Sequence, residues 1–345
     1  MKILFTSNRF YPDVGGTETI SDILAQAFVS AGHSLRLVTQ TTGDPHEDFR
    51  LFPFPVLRRP SSRELVASYR WSDVVFQNNL ELRQLWPLLL CRRPLLIALH
   101  TWIRSSTGQR SLFHCFKRLS LYASDHVVAV SDSLRVDSFS RATVIGNPYR
   151  SSLFRLLPEI VRTKGIVFLG RLLNDKGVDM LLQAFAQLRP PGWRLTIIGD
   201  GPERGELESL AKELRVSHLV KFLGVLQREA LVRELNHNQL MVIPSRCRET
   251  FGVVALEGLA CGCVVLASDG GGLPDAVGSA GLLFRRGDLA DLSRLLRDLI
   301  DNDDLRAHLR HQAPAHLVRF EEATVCSRYL ELIESLSANR SYYLS

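Results

Sequence analysis

Residues Leu240–Ala267 read LMVIPSRCRETFGVVALEGLACGCVVLA. The first four residues are apolar, a polar loop follows, helical periodicity starts near Phe251, and a second apolar run occupies Cys263–Ala267. Two short apolar runs joined by a helix are typical of a parallel βαβ unit. This stretch therefore predicts a parallel sheet with helices on its faces.

The same alternation of short strand patterns and longer helical patterns extends over the whole chain. The predicted strands of the first half are Lys2–Phe5, Leu35–Thr39, Asp73–Phe76, Pro94–Leu99, His126–Val130 and Thr143–Ile145. Those of the second half are Gly165–Leu169, Arg194–Ile198, Val220–Leu223, Leu240–Ile243, Cys263–Ala267 and Gly281–Phe284. The segment Asn147–Arg162 between them contains two prolines and no sustained period, as in an interdomain linker.

A chain of 345 residues is long for one hydrophobic core and suits two domains. We therefore predict an α/β protein with two doubly wound, Rossmann-like parallel-sheet domains that face each other across a cleft. The predicted domains are residues 1–152 and 153–321, and a C-terminal helix at about 322–338 is free to pack back on the first. Ligands of such sheets bind outside the carboxyl ends of the strands, so the loops after strands are the candidate sites.

Composition narrows the functional classes. The 6 cysteines are scattered without Cys-x-x-Cys spacing, which favours free thiols over a zinc site or disulfide framework. The N-terminus lacks the apolar run of a signal peptide, and no run reaches the roughly 20 residues of a membrane span. We expect a cytoplasmic protein. The net charge of +6 arises in residues 1–150, which leaves open an anionic acceptor, peripheral contact with the inner face of the membrane, or simply an ordinary solvated surface. Nucleic acid is the least favoured partner, because no nucleic-acid motif is present.

Two carboxylates lie in the loop and helix that follow Ile243. Glu249 precedes the predicted helix and Glu257 lies inside it, roughly 12 Å further along its axis. That separation exceeds the roughly 5 to 9.5 Å of a glycoside hydrolase pair. Because the amides of a first helical turn bind anions, the arrangement suits a long ligand with hydroxyls at both ends and an anion in the middle.

Other loops after strands carry charge or glycine. Arg171 and Lys176 follow Leu169 and could reach one diphosphate, although a solvated pair is the alternative. Gly270–Gly272 would allow close backbone approach to a ligand, which any tight turn also explains. Gly15 and Gly16 open a helix after the first strand and could offer amides to a phosphate.

A dinucleotide cofactor is disfavoured, because no Gly-x-Gly-x-x-Gly follows the first strand and no acidic residue closes the second. His100 ends the buried run Pro94–Leu99, a position that favours a functional histidine over a structural one. The only Asp-x-Asp, at Asp301 to Asp303, lies in a charge run and is interpreted as a solvated face rather than a metal site.

Together these residues resemble the retaining GT-B glycosyltransferases of family 4 (glycosyl transferases group 1), which include sucrose synthases and bacterial mannosyl- and N-acetylglucosaminyltransferases. The resemblance covers nearly the whole chain and is carried by Glu-x-Phe-Gly-x-x-x-x-Glu from Glu249 to Glu257. Gly170-Arg-Leu with Asp-Lys-Gly after it, and Gly199-Asp-Gly-Pro, support it. Gly258, Cys263 and Asp275 depart from the family pattern without removing a charge that the chemistry needs.

The resemblance implies a nucleotide-sugar site in the C-terminal domain and an acceptor in the N-terminal one. Arg171 and Lys176 would neutralise the diphosphate in place of a metal, so that neither a metal nor another cofactor is expected. Glu257 would bind the ribose. Glu249 with the amides of Phe251, Gly252 and Val253 would hold the sugar. The remaining contacts would come from His100 to the sugar, Gly16 beside Gly15 to the phosphates, and Gly199, Gly201, Leu223 and Val225 to the base.

The expected reaction is transfer of a sugar, with UDP-sugars favoured, to a glycan, lipid-linked or small-molecule acceptor with retained anomeric configuration. A sugar-nucleotide epimerase and a non-catalytic partner subunit of the same fold are the alternatives. Residues Arg104–Tyr122 combine basic side chains with apolar ones at helical spacing. A core-facing helix is favoured over a lipid-contacting surface there, and Trp102 could either stack on an acceptor sugar or pack in the interior.

Overall fold

Two parallel β-sheets organise the chain. The structure, a computed structural model, describes residues 1–13, 15–103 and 112–343. One unit comprises Met1–Asn147 together with the C-terminal helix that starts at Glu322, and the other comprises Pro148–Glu321.

The first unit contains a seven-stranded sheet with strand order β3-β2-β1-β4-β5-β6-β7. Its strands are β1 (Lys2–Ser7), β2 (Ser34–Thr39), β3 (Val56–Arg58), β4 (Val74–Asn78), β5 (Leu95–Leu99), β6 (His126–Ala129) and β7 (Thr143–Val144). Its helices are α1 (Gly16–Ser30), α2 (Pro45–Leu51), α3 (Ser62–Trp71), α4 (Leu112–Tyr122) and α5 (Asp132–Ser138). The sequence places nearly continuous apolar residues in β1, β4 and β5, as expected for parallel strands covered on both faces.

The second unit contains a six-stranded sheet with strand order β10-β9-β8-β11-β12-β13. Its strands are β8 (Gly165–Leu169), β9 (Arg194–Ile198), β10 (Val220–Gly224), β11 (Leu240–Ile243), β12 (Val264–Ser268) and β13 (Gly281–Phe284). Its helices are α6 (Val178–Leu188), α7 (Arg204–Glu213), α8 (Arg228–His237), α9 (Val253–Ala260), α10 (Leu273–Val277), α11 (Leu289–Asp301) and α12 (Asp303–Leu317). The last helix of the chain, α13 (Glu322–Tyr343), belongs to the first unit.

The order of the second sheet creates a switch point. From β8 the chain builds outward through β9 and β10 and then returns to the other side of β8 with β11. Loops that leave neighbouring strands at such a point diverge and open a crevice for a ligand. Because β8 and β11 are neighbours, the loops that follow them both border this crevice, and they contain Arg171, Lys176 and Glu249.

The first sheet has the same kind of switch point between β1 and β4. Its core combines rings from the sheet and from helices on its faces. Phe5 lies 4.8 Å from Phe76, and the ring of Tyr329 in α13 lies 5.6 Å from Phe76. Since Val325, Tyr329 and Ile333 are buried in this core, α13 completes it.

The predicted fold class is confirmed, and every predicted strand is present within one or two residues. The sequence analysis missed β3, because Val56–Arg58 is short, half-buried at the sheet edge and preceded by Pro53 and Pro55. The helix predicted to start near Phe251 begins at Val253.

One preferred interpretation is wrong. In α4, Phe116, Leu119 and Tyr122 are 61%, 63% and 58% exposed, so this part of the helix does not face the core. Leu121 is buried and anchors the helix. Helical periodicity alone does not distinguish an apolar face that packs inward from one that lies on the surface. The basic stretch from Arg104 that precedes this helix lies outside the described residues. Trp102 is partly buried.

Candidate functional site

Lys176 and Glu249 meet at the switch point of the second sheet. Lys176 ends a short 3-10 turn, Asn174–Lys176, after β8, and Glu249 lies in the loop after β11. The Nζ atom of Lys176 donates to Oε1 of Glu249 at 2.5 Å. Burial alone would lower the pKa of Lys176, but the adjacent Glu249 carboxylate outweighs it and leaves the pKa raised. The site therefore holds a fully charged ammonium in a partly buried position.

Three donors converge on the same oxygen of Glu249. In addition to Lys176, the Oγ of Ser245 donates to Oε1 at 2.8 Å, and the Sγ of Cys247 lies 3.7 Å away. The backbone carbonyl of Glu249 accepts from the amide of Gly272 at 2.8 Å, which ties the loop to the glycine triplet after β12. Both the position of Glu249 and the orientation of its carboxylate are thereby fixed.

The glycine triplet and Gly177 allow this close loop packing. At Gly271, φ is +71°, and an added Cβ would lie 2.0 Å from the carbonyl oxygen of Glu249. At Gly177, φ is +69°, and an added Cβ would lie 2.1 Å from the carbonyl oxygen of Pro244. Any side chain at either position would force the loops apart.

Helix α9 begins at Val253, four residues after Glu249, so the amides of its first turn lie next to the Glu249 loop. Gly252 precedes the helix with φ +100° and provides no side-chain cap, and no acidic residue occupies the first turn. These amides remain available as an anion site with the positive end of the helix dipole behind them. The ring of Phe251 is buried 5.4 Å from Phe320, so only its backbone can face a ligand.

Arg171 lies just beyond β8 and is exposed. Its guanidinium has no hydrogen bond or ion pair with the residues that the structure describes. The structure places it after the same strand as Lys176 but does not bring it into contact with Lys176 or Glu249. It is thus an exposed cation on the loop that follows β8.

Glu257 lies in the second turn of α9, and its side chain is half-buried. Burial raises the pKa of its carboxyl to about 7, and the positive charge of Arg150 only partly opposes that shift. No hydrogen bond joins Glu257 to Glu249, which agrees with two separate binding residues rather than a catalytic pair. A carboxyl whose pKa is near neutrality changes charge in the physiological range.

The residues assigned to the base come together at the ends of β9 and β10. The amide of Gly199 donates to the carbonyl of Gly224 at 2.8 Å, which places Leu223 and Val225 beside the Gly199–Gly201 loop. At Gly199, φ is +132°, and an added Cβ would lie 1.8 Å from the carbonyl oxygen of Gly170. Val225 is 63% exposed.

In the first unit, His100 follows β5 and is almost fully buried. Its Nε2 lies 2.7 Å from Oδ1 of Asn78. The side-chain Nδ2 of Asn78 donates to Oγ of Ser21, also at 2.7 Å. Because Asn78 presents an acceptor, Nε2 of His100 carries the proton and Nδ1 is an acceptor. Nδ1 is buried without a partner among the described residues. Burial lowers the pKa of His100 to about 4 and keeps the ring neutral.

This network connects His100 to α1. Ser21 Oγ donates to the carbonyl of Thr17 at 2.9 Å in the first turn of α1, whose N-terminal cap is Gly15. No side-chain hydrogen bond caps α1, and Glu18 lies in its first turn. The predicted residues are thus divided between the two units: Gly15, Gly16 and His100 lie in the first, and the others lie in the second.

The sequence analysis missed several polar residues at these sites, namely Asn78, Ser21, Asp179, Ser245 and Arg246. None belongs to the motif that carries the resemblance. Asn78, Asp179 and Arg246 have partners that are distant in sequence. Ser245 bonds to Glu249, and Ser21 to Thr17, each only four residues away. Asn78 is the last residue of β4, and this position at a strand end is a signal that could have identified it, whereas Ser21 lies within α1.

The residues that the structure describes contain no candidate metal cluster and no candidate membrane-spanning helix. No group of three or more His, Cys, Asp or Glu is arranged to hold a metal ion there. No described helix is long and apolar enough to cross a membrane. In the Asp301–Asp303 segment, Asp303 forms an ion pair with Arg306. All six cysteines are free thiols.

Two family models match the chain. Residues 157–316 match the model of glycosyl transferases group 1, and residues 14–142 match that of glycosyltransferase family 4. Together they cover most of both units. The chain therefore belongs to the group 1, family 4 glycosyltransferases, as predicted.

Individual relatives are consistent with this family. A D-inositol 3-phosphate glycosyltransferase of Corynebacterium jeikeium is 38% identical over 186 residues, which cover 51% of this chain and 44% of that protein. The phosphatidylinositol N-acetylglucosaminyltransferase gpi3 subunit of Schizosaccharomyces pombe is 26% identical over 342 residues, covering 86% and 73%. The alignments span about half the length of the first two relatives, 44% and 50%.

Solved structures share the fold over nearly the whole chain. The Anabaena protein Alr3699/HepE in complex with UDP superimposes with a TM-score of 0.84, at 22% identity, over 97% of this chain and 100% of that one. The same protein in complex with UDP and glucose gives a TM-score of 0.81, also at 22% identity, with the same coverage. At this identity the likeness establishes the GT-B fold.

Proposed function

We propose that the protein is a retaining glycosyltransferase that moves a sugar from a nucleoside-diphosphate sugar, with UDP-sugars favoured, to a glycan, lipid-linked or small-molecule acceptor. The observation that carries this proposal is the Lys176–Glu249 contact at the switch point of the second sheet, 2.5 Å long and adjacent to the uncapped first turn of α9. Cation, carboxylate and amides at one place match a ligand that combines a phosphate with hydroxyls.

The charges of the site suit the charges that develop when the donor bond breaks. When the bond between the anomeric carbon and the phosphate oxygen breaks, positive charge grows on the sugar and negative charge on the leaving diphosphate. Lys176 and the α9 amides, which are held in place before the reaction begins, would stabilise the diphosphate where its charge grows, and the exposed Arg171 would add a second positive charge. These cations take the place of a divalent ion in the proposal. Retention follows if the acceptor hydroxyl attacks from the side of the leaving phosphate and gives its proton to that phosphate.

The remaining assignments follow the family resemblance. Glu249 holds the sugar through its second carboxylate oxygen, since the first already accepts from Lys176 and Ser245. Glu257 binds the ribose, and Gly199, Gly201, Leu223 and Val225 flank the base. In the proposal, His100 would contact the transferred sugar of the donor, and Gly16 would contact the phosphates of the donor.

UDP is favoured as the leaving group because Alr3699/HepE, which shares the fold, was crystallised with UDP and with UDP-glucose. The direct test is a thermal-shift screen against UDP-, GDP- and ADP-sugars, since a ligand that binds the native state raises the unfolding temperature. We expect one class of donor to give a clear shift in the presence of excess chelator. No shift with any of the three would contradict the proposal.

Product analysis separates the alternatives. With donor and an acceptor extract, we expect a new glycoside whose anomeric configuration, read by NMR, equals that of the donor. Conversion of the donor to a different nucleotide-sugar without acceptor would indicate the epimerase. Donor binding without hydrolysis or transfer would indicate a non-catalytic subunit.

The exposed stripe of α4 bears on the acceptor. Phe116, Leu119 and Tyr122 are exposed on a helix that contains basic and no acidic residues. An apolar stripe with adjacent positive charge suits the surface of an anionic bilayer. We propose that α4 contacts the inner face of the membrane peripherally, where a lipid-linked acceptor would be found.

A further inference from the structure

A second ion pair joins the two loops of the candidate site. The guanidinium of Arg246, in the loop after β11, donates through both terminal nitrogens to the two carboxylate oxygens of Asp179 in the first turn of α6, at 2.7 Å each. The same guanidinium donates to the carbonyl of Asn174 at 3.0 Å. Bidentate pairs of this geometry are more directional than single ion pairs.

Backbone contacts tie the loop of Arg246 to the residue that precedes Lys176. The amides of Arg246 and Cys247 donate to the carbonyl of Asp175, at 2.7 and 3.2 Å. The carbonyls of residues 174 and 175 are thus both held from the other loop. Lys176 is the next residue, and its side chain reaches back across the same two loops to Glu249.

The ion pair with Asp179 limits which ligands Arg246 can bind. Because the carboxylate compensates the positive charge of the guanidinium and occupies its bidentate edge, Arg246 is not available as a second phosphate ligand. Asp179 and Arg246 are each about one-third exposed, so the pair lies at the margin of the site rather than in the core. Its contacts all serve the backbone around Lys176.

We propose that Arg246 and Asp179 are positioning residues for the donor diphosphate: they lock the 174–177 turn so that the Lys176 ammonium is held at Glu249. The pair acts through Lys176 and does not touch the donor. This inference rests on the proposed function, because it assumes that Lys176 binds a diphosphate.

The experiment measures UDP affinity by titration calorimetry and transfer kinetics for the full chain. Arg246→Gln and Asp179→Asn are each expected to weaken UDP binding about tenfold. The double variant should bind UDP as tightly as the single variant with the lower affinity, because the two substitutions remove the same contact. We also expect kcat to fall, because a displaced cation stabilises the leaving group less. The control Arg294→Gln removes an Asp291 pair on α11, 2.6 Å long, and should leave affinity and turnover unchanged.

The Lys176→Ala background gives the decisive comparison. If Arg246 acts through Lys176, then Arg246→Gln has no further effect on UDP affinity once Lys176 is absent. A further loss of the same size would show that Arg246 contacts the phosphate itself and would overturn the proposal. So would wild-type affinity in both single variants.

Two further measurements keep the outcomes distinct. Should Arg246→Gln fail to fold, Arg246→Lys retains the charge but loses the planar fork, and an intermediate loss of UDP affinity is expected. Hydrogen exchange of the 174–177 amides should be faster in Arg246→Gln than in the wild type, and unchanged exchange would overturn the proposal without reference to ligand. Failure of the wild type to bind UDP, GDP or ADP would instead contradict the proposed function.

Discussion

The ammonium of Lys176 lies 2.5 Å from the Oε1 atom of Glu249, although the two residues are 73 positions apart in the chain. Each comes from a different strand end, and the contact exists because β8 and β11 are neighbours in the sheet. One side of the carboxylate is occupied by Lys176, and Ser245 donates to the same oxygen. A donor would therefore meet a cation and a carboxylate that already orient each other.

Substitution of Lys176 by alanine tests the role of this cation. We expect kcat/KM for transfer to fall on the order of 100-fold or more, the scale seen when a preorganised charge-stabilising group is removed. The unfolding temperature should change little, because Ser245 still donates to Glu249 and the Lys176 side chain is only partly buried. Steady-state kinetics and thermal unfolding of the same preparation check this. Wild-type turnover would contradict it.

Glu257 gives a pH-dependent prediction for stability. Since burial raises the folded-state pKa to about 7, above the unfolded value near 4.5, the folded protein holds this proton more tightly than the unfolded chain. Stability should therefore fall as pH rises from about 4.5 to 7. Glu257→Gln removes the ionisation and should raise the free energy of unfolding at pH 8 by on the order of 2 kcal/mol, with little effect at pH 4.

Urea unfolding at both pH values measures this difference. The same variant should bind the nucleotide less tightly, since the ribose loses a charged acceptor. If Glu257→Gln is stabilised but keeps full UDP affinity, Glu257 does not bind the ribose of the donor.

Asn78 should control the protonation of His100. In the wild type the ring is neutral above about pH 4, because burial disfavours the charged form. Asn78→Asp places a carboxylate 2.7 Å from Nε2 and should raise the His100 pKa by at least about one unit, since a nearby negative charge favours imidazolium. An NMR titration of the ring measures the shift directly.

If the neutral ring is the functional form, transfer by Asn78→Asp should decline at acidic pH where the wild type does not. Ser7→Ala is the matched control, because Ser7 contacts Ser21 at the far end of the network and carries no charge in either form. Identical pH profiles of Asn78→Asp and the wild type would separate His100 protonation from the reaction.

The exposed stripe of α4 predicts binding to anionic vesicles. Phe116→Ser together with Leu119→Ser should weaken binding to vesicles that contain phosphatidylglycerol about tenfold or more, from the apolar area withdrawn from the interface. The unfolding temperature should stay within a few degrees, because both side chains are exposed. Leu89→Ser, at a leucine that is 89% exposed in the same unit, is the control. Equal vesicle binding by all variants would exclude α4 as the contact.

Local patterns were enough to predict both sheets, because buried parallel strands are short apolar runs and their crossover helices have a different period. They failed at β3, whose three residues lie at a half-buried edge, and at α4, where an apolar stripe lies on the surface. Motifs placed Lys176, Glu249 and the start of α9 at strand ends, since those positions follow from the order of elements along the chain.

The amino-acid order alone thus specified the α/β class, the strand positions and the family of the chain. Which side chains contact each other was decided by the folded sheets. That Lys176 lies against Glu249, that Arg246 occupies Asp179 rather than a ligand, and that Asn78 assigns the His100 tautomer are contacts between residues distant in sequence. Which strands become neighbours, and how deeply each charge is buried, set these distances and the pKa values of Glu257 and His100. Both are properties of packing, which no local pattern encodes.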